Sequence, residues 1–259
     1  MVGKCELEII YITQRYTGIW QWDYKSNIKE KKMDFDIDSW MKRYLDKLKS
    51  LFGSHLLFVG LQGSYGRGEA LDSSDIDVVV ILNHATPGDL KAYSAMLDTL
   101  PNREKVCGFI SGRQELVNWE RSDLFQFYHD TTPVFGSIDF LLPLIGKEDI
   151  HRAVRIGACN IYHTCGHNMV HKKDAEILKA LYKSAAFTVQ AIYYCQTGTY
   201  IKQRAELIPV LQPQEKEILQ TSITFKKQPN MARTEFERLS ELLFNWAAGL
   251  IIEYKAKLN

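Results

Sequence analysis

The pattern of apolar and polar residues in the first half of the chain predicts helices alternating with strands. Between Ile37 and Leu51, apolar residues recur at intervals of three and four behind an acidic turn, which predicts an amphipathic helix. Short apolar, β-prone runs near 55–62, 75–82 and 105–110 predict strands. The remaining predicted elements are helices from Pro87 to about Leu97 and from Gln114 to Trp119, and a strand through Ser137–Leu142 that ends near Pro143.

The second half, after Gly146, has a helical period throughout and few turn signals, which predicts a bundle of about four or five helices. Its apolar stripes are typical of a helix core or a dimer interface, so a homodimer stays open. They consist of Ile177, Leu178, Leu181, Tyr182, Ala185 and Val189, and of Phe236, Leu239, Leu242, Leu243, Trp246 and Leu250. We therefore predict an N-terminal extension over 1–32, an α+β domain over 33–145 and an all-α helical bundle domain over 146–259.

A Gly-Ser pair lies where the first predicted strand ends. Gly63 has no Cβ and lets a ligand approach the backbone, while Ser64 adds a hydroxyl at the start of a predicted helical turn, whose amides attract anions. The next strand begins Asp75-Ile76-Asp77, and because strand side chains alternate, both carboxylates point the same way. Mg²⁺ prefers one or two protein carboxylates with water and nucleotide phosphates as its other ligands. The pattern predicts a site that handles phosphate.

A third acid, Asp139, lies in the predicted strand Ser137–Leu142. An acid within an apolar strand is costly to bury without a partner, which favours a functional role. Asp139 is predicted either to complete the metal site with Asp75 and Asp77 or to accept a proton from an attacking hydroxyl.

Gly63-Ser64 followed by Asp75-x-Asp77 resembles the signature of the nucleotidyltransferase superfamily that includes DNA polymerase beta. The segments Gly63–Gly68 and Ser74–Asp77 are similar to those of the bacterial nucleotidyltransferases that modify aminoglycosides and lincosamides, and to the minimal nucleotidyltransferases. The resemblance implies a mixed sheet with flanking helices, followed here by the helical bundle.

The same resemblance implies roles for further residues. Thr197-Gly198 followed by Lys202 resembles an element of the helical domain of aminoglycoside adenylyltransferases, in which the lysine meets nucleotide phosphates. Nucleotide binding is therefore assigned to Gly63, Ser64, Arg67, Ser74, Lys183 and Lys202. Arg67 lies one helical turn beyond Ser64 and is predicted to contact phosphate, with a surface cation as the alternative.

The resemblance implies a transferase that moves a nucleoside monophosphate, expected to be AMP, from NTP to a hydroxyl of a small molecule and releases pyrophosphate. From the residues themselves, which show neither a membrane span nor a signal pattern, a cytoplasmic location is expected. Mg²⁺ is the expected cofactor, ATP the expected co-substrate and an aminoglycoside-like antibiotic the expected acceptor. Two alternatives stay open: a protein adenylyltransferase of the minimal antitoxin type, and a nucleotide-binding regulatory module without catalysis. No G-x-x-x-x-G-K-[ST] sequence is present, which argues against a P-loop kinase.

Composition narrows the class of partner. The 259 residues are 46% hydrophobic and 24% charged, with a formal net charge of +1, which suits a globular enzyme. Such a balance argues against an extended nucleic-acid surface, which requires a basic face. No apolar run is long enough to span a bilayer and no secretory signal pattern is recognised, so no membrane association is expected.

Two other segments carry chemistry-bearing residues. His163, His167 and His171 recur every fourth residue, which allows either a metal site or a polar helix face, and we favour the latter. Glu120, Asp123 and Asp130 lie in an aromatic-rich segment that fits an acceptor pocket for a cationic sugar or a solvated loop equally well.

Overall fold

The computed structural model describes residues 35–225 and 231–256, and the predicted extension over 1–32 lies outside them. The helices are α1 (Ile37–Phe52), α2 (Gly63–Arg67), α3 (Pro87–Leu97), α4 (Arg113–Val117), α5 (Arg121–Asp130), α6 (Lys147–His167), α7 (Ala175–Thr197), α8 (Arg204–Leu207), α9 (Pro213–Phe225) and α10 (Arg233–Ala256). The strands are β1 (Leu56–Leu61), β2 (Ile76–Leu82), β3 (Val106–Gly112) and β4 (Thr132–Phe135).

The chain divides into two compact units. The first, here called the sheet unit, extends to Asp123 and includes Asp130–Leu142. The second, here called the helical unit, contains Leu124–His129 and the chain from Pro143 onward.

The four strands form one mixed sheet in the order β3-β2-β1-β4. β1 pairs antiparallel with both β2 and β4, whereas β2 and β3 are parallel. Every residue of β2 is buried, as expected for a central strand covered on both faces, and this explains its nearly continuous apolar sequence. The observed sheet confirms the predicted α+β class.

Helix α1 packs on the sheet through the apolar positions that its sequence period predicts. Trp40, Met41, Tyr44 and Leu48 are buried on one face and join the same apolar cluster as the strands. Each fully buried large apolar side chain contributes about 1.5–3 kcal/mol, so this face stabilises the helix far more than its intrinsic propensity does. The Asp36 carboxylate starts the helix by accepting hydrogen bonds from two backbone amides of the first turn.

Among its described residues, the helical unit has four long helices, in which α6 packs on α7 and α10, and α7 packs on α9. Its core contains the buried members of both predicted stripes, including Leu178, Tyr182, Leu239 and Leu243. The predicted helical bundle is therefore confirmed. Among the described helices, none is both long and apolar enough to cross a membrane.

The predicted strand through Ser137–Leu142 is wrong. Asp139–Leu144 form a 3₁₀ helix, and the fourth strand lies earlier, at Thr132–Phe135. Ile138 and Leu141 are the buried residues of this segment, at the spacing of three that a 3₁₀ helix places on one side.

Candidate active site

The Gly-Ser turn connects β1 to the short helix α2. Gly63 adopts a φ of 62°, in the left-handed region that favours glycine, and Ser64 follows it as a buried residue with 7% exposure. Gly68, with a φ of 72°, ends α2 as its left-handed cap. The Glu69 amide donates to the Ser64 carbonyl at 2.8 Å, which closes the turn on its far side.

A backbone hydrogen bond brings this turn beside the predicted carboxylates. The Gln62 amide donates to the Asp77 carbonyl at 2.8 Å and continues the pairing of β1 with β2 by one residue. Gly63, the next residue, therefore starts its turn at the N-terminal end of β2, where Asp77 lies. The structure brings together Gly63, Ser64 and Asp77, as the sequence predicts.

Asp75 and Asp77 flank Ile76 at the start of β2. Asp75 is half-buried and Asp77 is 5% exposed. Asp75 lies one residue before β2 and Asp77 is its second residue, and the alternation of an extended chain predicts both side chains on one side. Ser74, a predicted nucleotide ligand, accepts a hydrogen bond from the Leu71 amide at 2.9 Å and so closes the turn that leads into the strand.

Asp139 does not join these two acids in a strand. It is exposed at the start of a 3₁₀ helix, and its amide donates a hydrogen bond to the Ser137 hydroxyl at 3.0 Å. Over residues 35–225 and 231–256, no group of three or more His, Cys, Asp or Glu side chains is arranged to hold a metal. The buried, apolar strand on which this assignment of Asp139 was based is therefore not formed, and the acid's place in the metal site stays a prediction.

Two carboxylates remain as a donor set for a cation. Asp75 and Asp77 carry hard oxygen ligands and flank Ile76 at the start of β2, beside the turn in which Gly63 adopts a positive φ. Mg²⁺ is commonly held by one or two carboxylates and completes its octahedron with water and substrate phosphates. The residues present therefore fit a two-carboxylate Mg²⁺ site.

Arg67 is buried, with 2% exposure, so the alternative of a surface cation is wrong. Its Nη1 donates to both carboxylate oxygens of Asp130, at 3.1 and 3.3 Å, and its Nε donates to Glu69 at 3.3 Å. Asp130 is the last residue of α5 and 4% exposed, so a solvated loop does not describe its position, and the acceptor pocket stays a prediction. The predicted contact of Arg67 with phosphate competes with this pairing.

Lys183 and Lys202 belong to the helical unit, where both are half-buried. Lys202 lies near His129, and burial together with the positive charge of Lys202 lowers the pKa of His129 to about 4. The His129 ring stacks on Tyr200 with ring centroids 4.6 Å apart. The assignment of both lysines to nucleotide phosphates stays a prediction.

The three regularly spaced histidines are exposed along α6 and the π-helical turn Asn168–Lys172 that follows it. The rings of His167 and His171 lie 4.8 Å apart between centroids. Within the described residues they do not form a three-ligand metal site.

Sequence reasoning missed two residues that support the turn. The Gln62 side-chain amide donates to the Thr131 hydroxyl at 2.8 Å, and both residues are buried. A buried polar residue directly after an apolar strand is the signal that could have identified Gln62, since such a group needs a partner. Thr131 carries no comparable local signal.

Residues 41–124 match a family model described as a nucleotidyltransferase domain, a range that includes Gly63, Ser64, Asp75 and Asp77. No curated protein sequence matches the chain.

Two solved structures are similar. One is the spectinomycin adenyltransferase AAD(9) from Enterococcus faecialis, solved with ATP and spectinomycin. It has a TM-score of 0.53 and 14% identity, and the match covers 83% of this chain and 99% of that one, so the two share a fold. The other is a nucleotidyltransferase-like protein from Exiguobacterium sibiricum 255-15, with a TM-score of 0.32, 8% identity and coverage of 86% and 79%.

The signature residues, the mixed sheet that presents them and the matching family domain point the same way. Residues 41–124 therefore form a nucleotidyltransferase domain of a transferase enzyme, and a helical unit follows this domain.

Proposed function

We propose that the protein transfers a nucleoside monophosphate, expected to be AMP, from NTP·Mg²⁺ to a hydroxyl of a small molecule and releases pyrophosphate. The observation that carries the proposal is the 2.8 Å hydrogen bond from the Gln62 amide to the Asp77 carbonyl, since it sets the Gly63–Ser64 turn beside the carboxylate strand. Phosphoryl transfer depends mainly on positioning and charge neutralisation, and this juxtaposition supports both.

Each residue of the turn and strand has a role in this proposal. The carboxylates of Asp75 and Asp77 hold the metal, and the backbone at Gly63 and Ser64 approaches the phosphates closely. Bound Mg²⁺ neutralises phosphate charge as a Lewis acid. The new bond joins the acceptor oxygen to the α-phosphorus, the bond from that phosphorus to pyrophosphate breaks, and the hydroxyl proton leaves to a base or to water.

Asp139 enters the proposal only as a candidate to orient or deprotonate the acceptor. Its exposed position in a 3₁₀ helix suits contact with a diffusing acceptor better than a place in the metal site. Asp139→Asn is therefore expected to retain metal-dependent nucleotide binding, whereas Asp77→Asn is expected to lose it.

The acceptor is proposed to be a small hydroxylated molecule of the aminoglycoside type. The shared fold with a spectinomycin adenyltransferase supports this class, as does the coverage of 99% of that chain. Cytoplasmic location and the use of ATP rather than another NTP belong to the same proposal.

The test supplies Mg²⁺, each labelled NTP in turn and a panel of aminoglycosides, lincosamides and protein partners, and records pyrophosphate release and label transfer. We expect acceptor-dependent release that Asp77→Asn reduces at least about a hundredfold. Asp98→Asn, an exposed acid of the same unit, is the matched control and keeps full activity.

Three other outcomes would contradict the proposal. Wild-type turnover in Asp77→Asn would exclude the site. Label on a protein partner alone would favour protein adenylylation. Tight NTP binding without release for any acceptor would favour a regulatory module.

A further inference from the structure

The far side of the Gly63–Ser64 turn is tied to the chain segment that leads into β4. Arg67 pairs with Asp130 through Nη1, at 3.1 Å to the nearer carboxylate oxygen. The Thr132 hydroxyl donates to the Gly66 carbonyl at 2.7 Å. These contacts join positions more than sixty residues apart in sequence, and all of them lie within the sheet unit.

The near side of the turn is tied to the same segment. Gln62 donates from its side chain to the Thr131 hydroxyl and from its backbone to the Asp77 carbonyl, both at 2.8 Å. Hydrogen bonds to residues 130–132 thus hold the chain on both sides of Gly63 and Ser64.

The ion pair between Arg67 and Asp130 is buried. The Arg67 side chain is fully buried and that of Asp130 almost so. Removing two charges from water costs more than their attraction regains unless the geometry is good, and in some proteins such pairs specify one arrangement of the chain. A second carboxylate, that of the partly exposed Glu69, accepts a hydrogen bond from the Arg67 Nε. A guanidinium already directed at two carboxylates is poorly placed to bind phosphate as well.

We propose that Arg67 and Asp130 are positioning residues, which with the Gln62–Thr131 hydrogen bond hold the Gly63–Ser64 turn in register with Asp77. Arg67 then acts through the turn and does not bind the nucleotide phosphates. The anchoring rests on the structure alone, and its effect on turnover rests on the proposed function.

The first test measures hydrogen exchange at the amides of Gly66, Gly68 and Glu69, which are hydrogen-bonded within the turn. Asp130→Asn is expected to speed their exchange at least about tenfold while the amides of β2 stay protected. Asp98→Asn breaks an exposed ion pair with Arg103 in the same unit and should leave all these rates unchanged. Unchanged exchange at the turn in Asp130→Asn would overturn the anchor.

A second variant covers the case in which Asp130→Asn does not fold. Thr131→Val keeps the shape of the side chain and removes the hydroxyl that accepts from Gln62. It is also expected to speed exchange at least about tenfold at the turn. Exchange at wild-type rates in this folded variant would overturn the proposal equally.

Nucleotide binding separates an anchor from a phosphate ligand. If Arg67 is an anchor, Arg67→Lys and Asp130→Asn weaken Mg²⁺·NTP binding and turnover by similar factors, and the double variant loses little more. If Arg67 binds phosphate, Asp130→Asn frees the guanidinium, and binding then stays equal or tightens while Arg67→Lys alone weakens it. That second pattern would overturn the proposal. A wild-type protein that neither binds nor turns over any NTP would instead refute the proposed function, and hydrogen exchange would still decide the anchor.

Discussion

Gly66→Ala is the substitution that tests most directly whether the position of the Gly-Ser turn controls turnover. Gly66 lies in α2, and a Cβ placed on its backbone would lie 2.7 Å from the Leu61 carbonyl oxygen and 3.0 Å from its carbonyl carbon. Both neighbours are backbone atoms of β1, which has strands on either side, so neither can move aside as a flexible side chain could.

The size of the effect follows from these distances. The optimal separation of non-bonded heavy atoms is about 3.5 Å or more. To bring the new Cβ from 2.7 Å to that distance from the Leu61 carbonyl oxygen, α2 must move away from β1 by close to an ångström. Overpacking of this kind costs about 1–3 kcal/mol of folding stability. A misplacement of about 1 Å in a site that works by positioning lowers turnover by about a hundredfold. We therefore expect a folded, moderately destabilised protein with a large loss of activity.

Two glycines of the same unit provide matched controls for this assay. Gly68 has a φ of 72° but open space around its Cβ position, so Gly68→Ala costs about 1 kcal/mol through backbone strain without a clash. Gly88 has no close neighbour inside 3.5 Å and no positive φ, so Gly88→Ala should be nearly neutral. Pyrophosphate release and urea unfolding are measured on all three variants. Turnover by Gly66→Ala within about threefold of Gly68→Ala would refute the reasoning that links turn position to rate.

Three further predictions concern stability. Tyr182 donates a hydrogen bond to the Leu239 carbonyl at 2.9 Å inside the helical unit, so Tyr182→Phe should lower the free energy of unfolding by about 1–2 kcal/mol in urea titrations. Thr86 and Asp89 form a capping box at the start of α3, so Thr86→Ala should cost about 1 kcal/mol and shift the thermal midpoint downward. The pKa of His129 is lowered from 6.5 to about 4 by burial, so the unfolded chain binds more protons between these values, and stability is lost as pH falls through this window. Because His129 is partly exposed, the expected loss of unfolding free energy is about 1–2 kcal/mol. The free energy of unfolding should therefore fall less between pH 7 and pH 4.5 in His129→Gln than in the wild type. Equal falls in the two proteins would contradict this prediction.

The elements that sequence alone could predict are those whose cause is local. Helix α1 extends over Ile37–Phe52 against a predicted Ile37–Leu51, because its apolar period and its Asp36 cap both lie within one segment. Strand β2 is likewise predicted from a nearly continuous apolar run, and all seven of its residues are buried in the structure. The Gly63–Ser64 turn and the Asp75–Asp77 pair also depend on neighbours in sequence, and the structure places the turn beside Asp77 by a single backbone hydrogen bond.

The error at Asp139 has a definite physical cause. The run Ser137–Leu142 is short and apolar, and such runs do not distinguish a strand from a helical turn by composition. Burial at Ile138 and Leu141, with Leu142 exposed, follows a spacing of three and not of two. Pro143 points the same way, because it has no amide to donate to a sheet. The acid was therefore predicted to be buried only because its segment was predicted to be a strand.

Arg67 illustrates what a local pattern cannot supply. Arg67 is a cation one helical turn beyond Ser64, beside a predicted phosphate site, and this local pattern favours a phosphate contact. Its observed partner, Asp130, follows 63 residues later, at the end of a helix that no local pattern relates to the turn. Because a buried guanidinium must be paired, the residue that pairs with it determines its role as much as its own neighbours do. A signature motif can therefore point to candidate metal ligands, while a candidate for the residue that orients the motif is identified only from the fold.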